Sequence, residues 1–168
     1  MAVSTVRNSD TFHVSTPSER EIRLTRLFDA PRCLVFEAMS KPEHIRQWWG
    51  RLGEGYSVPV CEVDLRPGGK WRFVNRHPKG EAAFHGVYRE ISAPDRIVFT
   101  EIFEDFPDTE SVVTATLTEE DGKTRLTVTA LYPSVEVRDA VINSGMASGA
   151  AISYDRLEEV AAQLNAQA

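Results

Sequence analysis

The feature that most constrains this chain is a run of alternating segments from Tyr56 to Tyr132, broken at short intervals by turn residues. Antiparallel strands with one buried face read this way, because every second side chain along a strand shares a face. Tyr56–Leu65 leads into Pro67-Gly68-Gly69, and Lys70–Arg76 into His77-Pro78-Lys79-Gly80. Ala82–Ile91 ends at Ala93-Pro94-Asp95, and Arg96–Phe103 at Phe106-Pro107-Asp108. In the last pair, Val113, Ala115 and Leu117 alternate with threonines, as do Leu126, Val128, Ala130 and Tyr132 with Thr127, Thr129 and Leu131. Asp121-Gly122 between them is a strong hairpin signal.

A sheet with one apolar face needs a cover. Pro133 closes the strand region, and Ser134 is placed to cap a helix by accepting an early amide. Val135–Asn143 reads as one helical segment and Gly145–Leu164 as a longer one. Ile142, Met146, Gly149/Ala150, Ser153, Leu157, Val160/Ala161 and Leu164 recur at intervals of three and four, a single stripe. Upstream, Ile22 and Leu24 alternate toward Phe28 as a first strand. Pro31 and Pro42 then suit the first turns of two short helices, the second ending in Gln47-Trp48-Trp49-Gly50. The expected fold is α+β: a seven-stranded antiparallel sheet, curved because sheets of this size twist and coil, around a long C-terminal helix. The two short helices lie between strands one and two.

The 168 residues suit a single domain. A chain this long buries roughly 68–70% of its unfolded surface, enough for a core without metal or disulfides. Residues 1–18 are rich in Ser, Thr and Asn without a period and read as a flexible tail, with the domain over 19–168.

The charge excludes several classes. Nineteen Lys and Arg against 25 Asp and Glu leave a net −6, against a nucleic-acid binder. Acidic residues interrupt the basic clusters at Arg20–Arg26 and Arg66–Arg72. No run approaches the ~18 apolar residues of a membrane span, and Met1–Glu19 has no apolar signal region. Cys33 and Cys61 lack metal-ligand spacing, so a cytoplasmic protein with two reduced thiols is expected. His13, His44, His77 and His85 are scattered, so no metal or cofactor is expected. Asp64-x-Arg66-Pro67-Gly68-Gly69 is a hairpin turn rather than a phosphate loop, since a strand follows it. No nucleophile elbow is present.

Several separate pieces carry a resemblance. They are Phe28-Asp29-Ala30-Pro31, Val35-Phe36, Pro42, Trp48-Trp49-Gly50, Asp64-Leu65-Arg66-Pro67-Gly68-Gly69 and Gly86-Val87-Tyr88. Pro94-Asp95-Arg96-Ile97-Val98-Phe99-Thr100, Ser144-Gly145-Met146 and Ser153-Tyr154-Asp155-Arg156-Leu157 complete them. In this order, over roughly Glu19 to Leu164, the chain resembles the family named after the activator of the heat-shock-protein ATPase, in the START-like (SRPBCC) superfamily. The resemblance implies a helix-grip fold with a cavity between the curved sheet and the last helix. It implies no single activity, since relatives include lipid and hormone carriers, aromatase/cyclases and co-chaperone domains tied to the stress response. Family members often carry a bulky aromatic where this chain has Ala150. Gly149, Ala150 and Ser153 thus form a stretch of small residues, either for close helix–sheet approach or for cavity volume.

The candidate site follows from strand phase. Ile97, Phe99, Glu101 and Phe103 share a face, and if it is the concave one, Glu101 is a carboxylate among aromatics with a raised pKa. The opposite phase, Val98, Thr100 and Ile102, would put Glu101 in water. Trp71, Phe73 and Asn75 form the inner set of their strand. On the next, Phe84 and Tyr88 compete with His85, Val87 and Ile91, and the first pair is favoured. Of Trp48 and Trp49, one packs inward and the other is available to the cavity rim.

The first expectation is a small hydrophobic or aromatic ligand held by Trp49, Trp71, Phe73, Phe84, Tyr88, Phe99, Phe103, Met146, Gly149 and Ser153, with Glu101 anchoring a polar end. The alternative is a cyclase- or hydrolase-like enzyme using Glu101 and His85 for proton transfer in that cavity. A chaperone-associated interaction domain ranks third, because the chain lacks the second, partner-docking domain of such activators. A homodimer through edges or loops is compatible with the fold.

Overall fold

The computed structural model describes residues 11–167. Eight antiparallel strands form one sheet: β1 (Phe12–Ser15), β2 (Glu21–Phe28), β3 (Ser57–Val63), β4 (Lys70–His77), β5 (Gly80–Ser92), β6 (Arg96–Phe103), β7 (Ser111–Glu120) and β8 (Lys123–Leu131). Their spatial order is β1-β2-β8-β7-β6-β5-β4-β3. Helices α1 (Arg32–Ser40) and α2 (Pro42–Trp48) lie between β2 and β3, and α3 (Val135–Asn143) and α4 (Met146–Gln167) follow β8.

The α+β architecture stands, with one strand more than the seven expected. Phe12–Ser15, assigned to the flexible tail, pairs with the edge of β2 from Phe12↔Arg26 to Ser15↔Arg23. Phe12 is 3% exposed, its ring 6.2 Å from that of Tyr154 on α4. A four-residue strand offers one alternation, too little to rise above its polar flanks. Residues 1–10 of the expected tail lie outside the described residues.

Local signals set the helix boundaries. Pro42 occupies the first turn of α2, where its missing N–H costs nothing. The Trp48 indole N–H donates to the Ala38 carbonyl at 2.8 Å, locking α2 against α1. Ser134 accepts the Val137 amide at 3.2 Å and caps α3.

The inner face of β2 holds Ile22, Leu24, Arg26 and Phe28, all buried. Arg26 is the exception in chemistry, and α4 answers it with Asp155 at 2.5 Å and Glu158 at 2.9 Å. The C-terminal half of α4 buries Leu157, Val160 and Ala161 in the core. Its N-terminal half does not close on the sheet, and the gap is the cavity described next.

Candidate functional site

A cavity of about 440 Å³ lies between the concave face of the sheet and the first turns of α4. Its walls come from β2, β4 to β8, the residue after β8, Met39 of α1, α2 with its following loop, and residues of α4 between Met146 and Tyr154. Phe73, Phe84 and Phe99 are only partly buried although they sit mid-sheet, because they face this space. The rings form a continuous belt. Trp49 meets Phe73 and Phe84 edge-on at 5.1 and 5.4 Å, and Trp71 meets Phe73 at 4.8 Å and Phe99 at 5.7 Å.

Trp49, Trp71, Phe73, Phe84, Tyr88, Phe99, Glu101, Met146, Gly149 and Ser153 all line the cavity. Phe103 does not. It stands at the end of β6, stacked on Phe84 at 4.9 Å and flanked on its other side by Phe106.

His85 requires a correction that removes the shared-cavity enzyme reading. Directly opposed residues of an antiparallel pair share a face, and His85 pairs with Ile102, one position out of phase with Glu101. His85 therefore lies on the outer face beside Lys70 and Arg72. Its Nδ1 is 3.0 Å from Glu104 Oε2, and Arg72 grips the same carboxylate at 2.8 and 3.0 Å. Glu104's pKa is lowered to about 2, first by the hydrogen bond from Arg72 and then by that from His85. This network lies on the opposite face of the sheet from the cavity, so it cannot share a ligand there with Glu101.

The ambiguity of β5 has a physical source. A bulge between Tyr88 and Glu90 shifts its register against β6. Phe84 and Tyr88 face the cavity before it, and Ile91, opposite Ile97, returns to the core after it. An extra residue reverses the phase of all that follows, so both candidate sets were partly apolar. At Gly86 the strands crowd together. A Cβ there would lie 1.7 Å from the Thr100 carbonyl, which accepts the Trp71 indole N–H at 3.2 Å.

Glu101 is half-buried in surface terms because the cavity reaches it, yet the walls around it are mostly apolar and aromatic, so its carboxylate is poorly solvated. Among the described residues no side chain hydrogen-bonds or pairs with it. Burial alone raises its pKa to about 7. Tyr132, just past β8, and Tyr154, on α4, feel its charge and are raised too, chiefly by burial. Both tyrosines line the cavity, as does Trp48. Tyr132 ends the inward alternation Leu126, Val128, Ala130, so its phase was readable from the sequence. Tyr154 lies one position from Ser153, at the margin of the helical stripe.

Ser153 is spent on structure. Its Oγ accepts the Gly50 amide at 3.2 Å, while Asn75 Nδ2 donates to the Gly50 carbonyl at 2.8 Å. At Gly149, an added Cβ would meet only Leu52 of the loop after α2, at 3.5 Å, and nothing of the sheet. The small residues there open space rather than admit close helix–sheet approach.

Among the described residues, no group of three or more His, Cys, Asp or Glu could hold a metal ion. None of the described helices is long and apolar enough to cross a membrane. Cys33 is exposed and Cys61 buried, both unpaired; burial raises the Cys61 thiol to about 11.

A curved antiparallel sheet gripping a C-terminal helix over an apolar chamber defines the START-like class of proteins. Within it, residues 29–162 match the family model described as "Activator of Hsp90 ATPase homolog 1-like protein", and the chain belongs to that family. A Rhodobacter sphaeroides protein shares the fold at TM-score 0.83 and 25% identity, over 90% of this chain and 99% of that one. One from Nitrosomonas europaea does so at TM-score 0.79 and 25% identity, with the same coverage of 90% and 99%. An HSP90 activator from Plasmodium falciparum is similar at TM-score 0.52 and 25% identity, over 67% of this chain and 72% of that one. No curated protein matches.

Proposed function

We propose that this chain binds a small hydrophobic or aromatic molecule in the cavity, with Glu101 holding its polar end. One observation carries the reading: about 440 Å³ of apolar, aromatic-walled space encloses a carboxylate that no described side chain neutralises. That volume falls within the ~300–1,000 Å³ of small-molecule sites, where a few polar groups set orientation. A cavity kept open costs stability that better packing would recover, and a poorly solvated carboxylate without a partner adds to that cost. A bound molecule offsets both. The unpaired cysteines support a cytoplasmic setting.

Native mass spectrometry of freshly purified protein, followed by thermal shifts with aromatic and lipid-like molecules, tests the proposal. A ligand at 100 times its Kd adds about 2.7 kcal/mol, a rise of several degrees for a domain of this size. Absence of any bound molecule and of any shift would overturn it.

A second reading, a chaperone-associated domain, draws on the likeness to the Plasmodium falciparum HSP90 activator. Its test is co-purification with a chaperone ATPase that survives filling of the cavity.

A further inference from the structure

We infer that the cavity selects apolar molecules whose polar end is a protonated amine and rejects those that end in a carboxylate; the inference rests on the ligand-binding reading above. The charge inventory of the wall carries it. Among the described lining residues there is no Lys, Arg or His, and Glu101 is the only carboxylate. The inner-face cation nearest in sequence pattern, Arg26, is committed to Asp155 and Glu158. Arg72 is committed to Glu104 on the outer face. Among the described residues, no guanidinium or ammonium therefore lines the cavity to meet an anionic ligand.

The remaining polar atoms can also receive a donor. Asn75, which lines the cavity, uses its amide nitrogen on Gly50, and its Oδ1, with no hydrogen bond to another described residue, can only accept. Ser153 Oγ accepts from Gly50, which leaves one lone pair and its O–H. The hydroxyls of Tyr88, Tyr132 and Tyr154 make no hydrogen bond to another described residue, and each can accept as well as donate.

A carboxylate-bearing ligand would set a second negative charge near Glu101 where water screens poorly, so repulsion is strong. An ammonium group supplies the missing counter-charge and can also rest on the faces of the surrounding aromatic rings. The titratable groups facing Glu101 from neighbouring elements are Tyr132 and Tyr154, whose phenols stay neutral because burial and Glu101 both oppose their ionisation. The protein's net charge of −6 further favours the approach of cations.

The test is calorimetric titration of the whole chain with three molecules of matched size: 1-naphthylmethylamine, 1-naphthylmethanol and 1-naphthoate. At about pH 8.5 an alkylamine is still largely protonated and Glu101 is ionised. The amine is expected to bind about tenfold or more tighter than the alcohol, as close charge pairs do, and the naphthoate weakest. In Glu101→Gln the amine should fall to the alcohol's affinity while alcohol binding persists, which also proves the variant folded. Alcohol or naphthoate binding as tight as the amine in the unaltered protein would overturn this inference and leave the ligand-binding reading standing. So would an amine preference that survives Glu101→Gln. Silence from all three molecules would overturn this inference, and the ligand-binding reading would then fall only if the wider screen were also silent.

Discussion

Ser153 on α4 accepts the backbone N–H of Gly50 at 3.2 Å, so the helix holds the loop that follows α2. Asn75 on β4 holds the carbonyl of the same residue, and one glycine thus joins helix, loop and sheet at the cavity wall. Gly50 has φ of +63°, and a Cβ there would lie 2.6 Å from Asn75 Nδ2. Ser153→Ala is expected to cost about 1 kcal/mol through one lost hydrogen bond. Gly50→Ala should cost more, since the left-handed backbone alone adds about 1–2 kcal/mol. Urea unfolding compares them; a Gly50→Ala loss no larger than that of Ser153→Ala would refute the clamp.

Glu101 makes stability depend on pH in a definite direction. Its folded pKa of about 7 exceeds the ordinary 4.5, so the folded state binds the proton more tightly. The resulting stabilisation is complete below pH 4.5 and disappears as pH rises through about 7. Relative to Glu101→Gln, the unliganded protein should lose on the order of 3 kcal/mol across that window. Parallel stability curves for the two proteins from pH 4 to about pH 8.5 would show that Glu101 is well solvated.

Arg26 and its two acidic partners are unequal in exposure. The Arg26 side chain is 6% exposed, while those of Asp155 and Glu158 are 70% and 35% exposed. Removing both acids strands a buried cation, at about 3–5 kcal/mol. Arg26→Met leaves two carboxylates that reach water and should cost about 1–3 kcal/mol. Thermal melts of Arg26→Met and of Asp155→Ala/Glu158→Ala decide the order, and a reversal would mean that Arg26 finds water or another partner.

Ala150 lies on the cavity wall. Ala150→Phe should fill the space, abolish ligand binding and leave the melting temperature within a few degrees of the original, because the ring enters existing volume rather than packed core. Retention of full affinity in this variant would place the ligand elsewhere.

The strands, turns and helix caps were legible because their signals are local. Alternation in β7 and β8, Pro42 at a first turn and Ser134 as a cap each act within a few residues. Small residues at Gly149 and Ala150 were legible too, but not their effect. That depended on where α4 stands above the sheet, a matter of packing between segments far apart in sequence. Phe103 was assigned to the wall by phase alone, and phase cannot tell where along a strand a cavity ends.

The amino-acid sequence by itself determined the kind of protein: an antiparallel sheet, a covering helix and a supply of inward aromatics, since period and turn chemistry are properties of neighbouring residues. Tertiary structure alone decided which face His85 and Glu101 take. One extra residue between Tyr88 and Glu90 and the register His85↔Ile102 set those faces. Register is a relation between strands, fixed by their mutual pairing, and no single segment contains it.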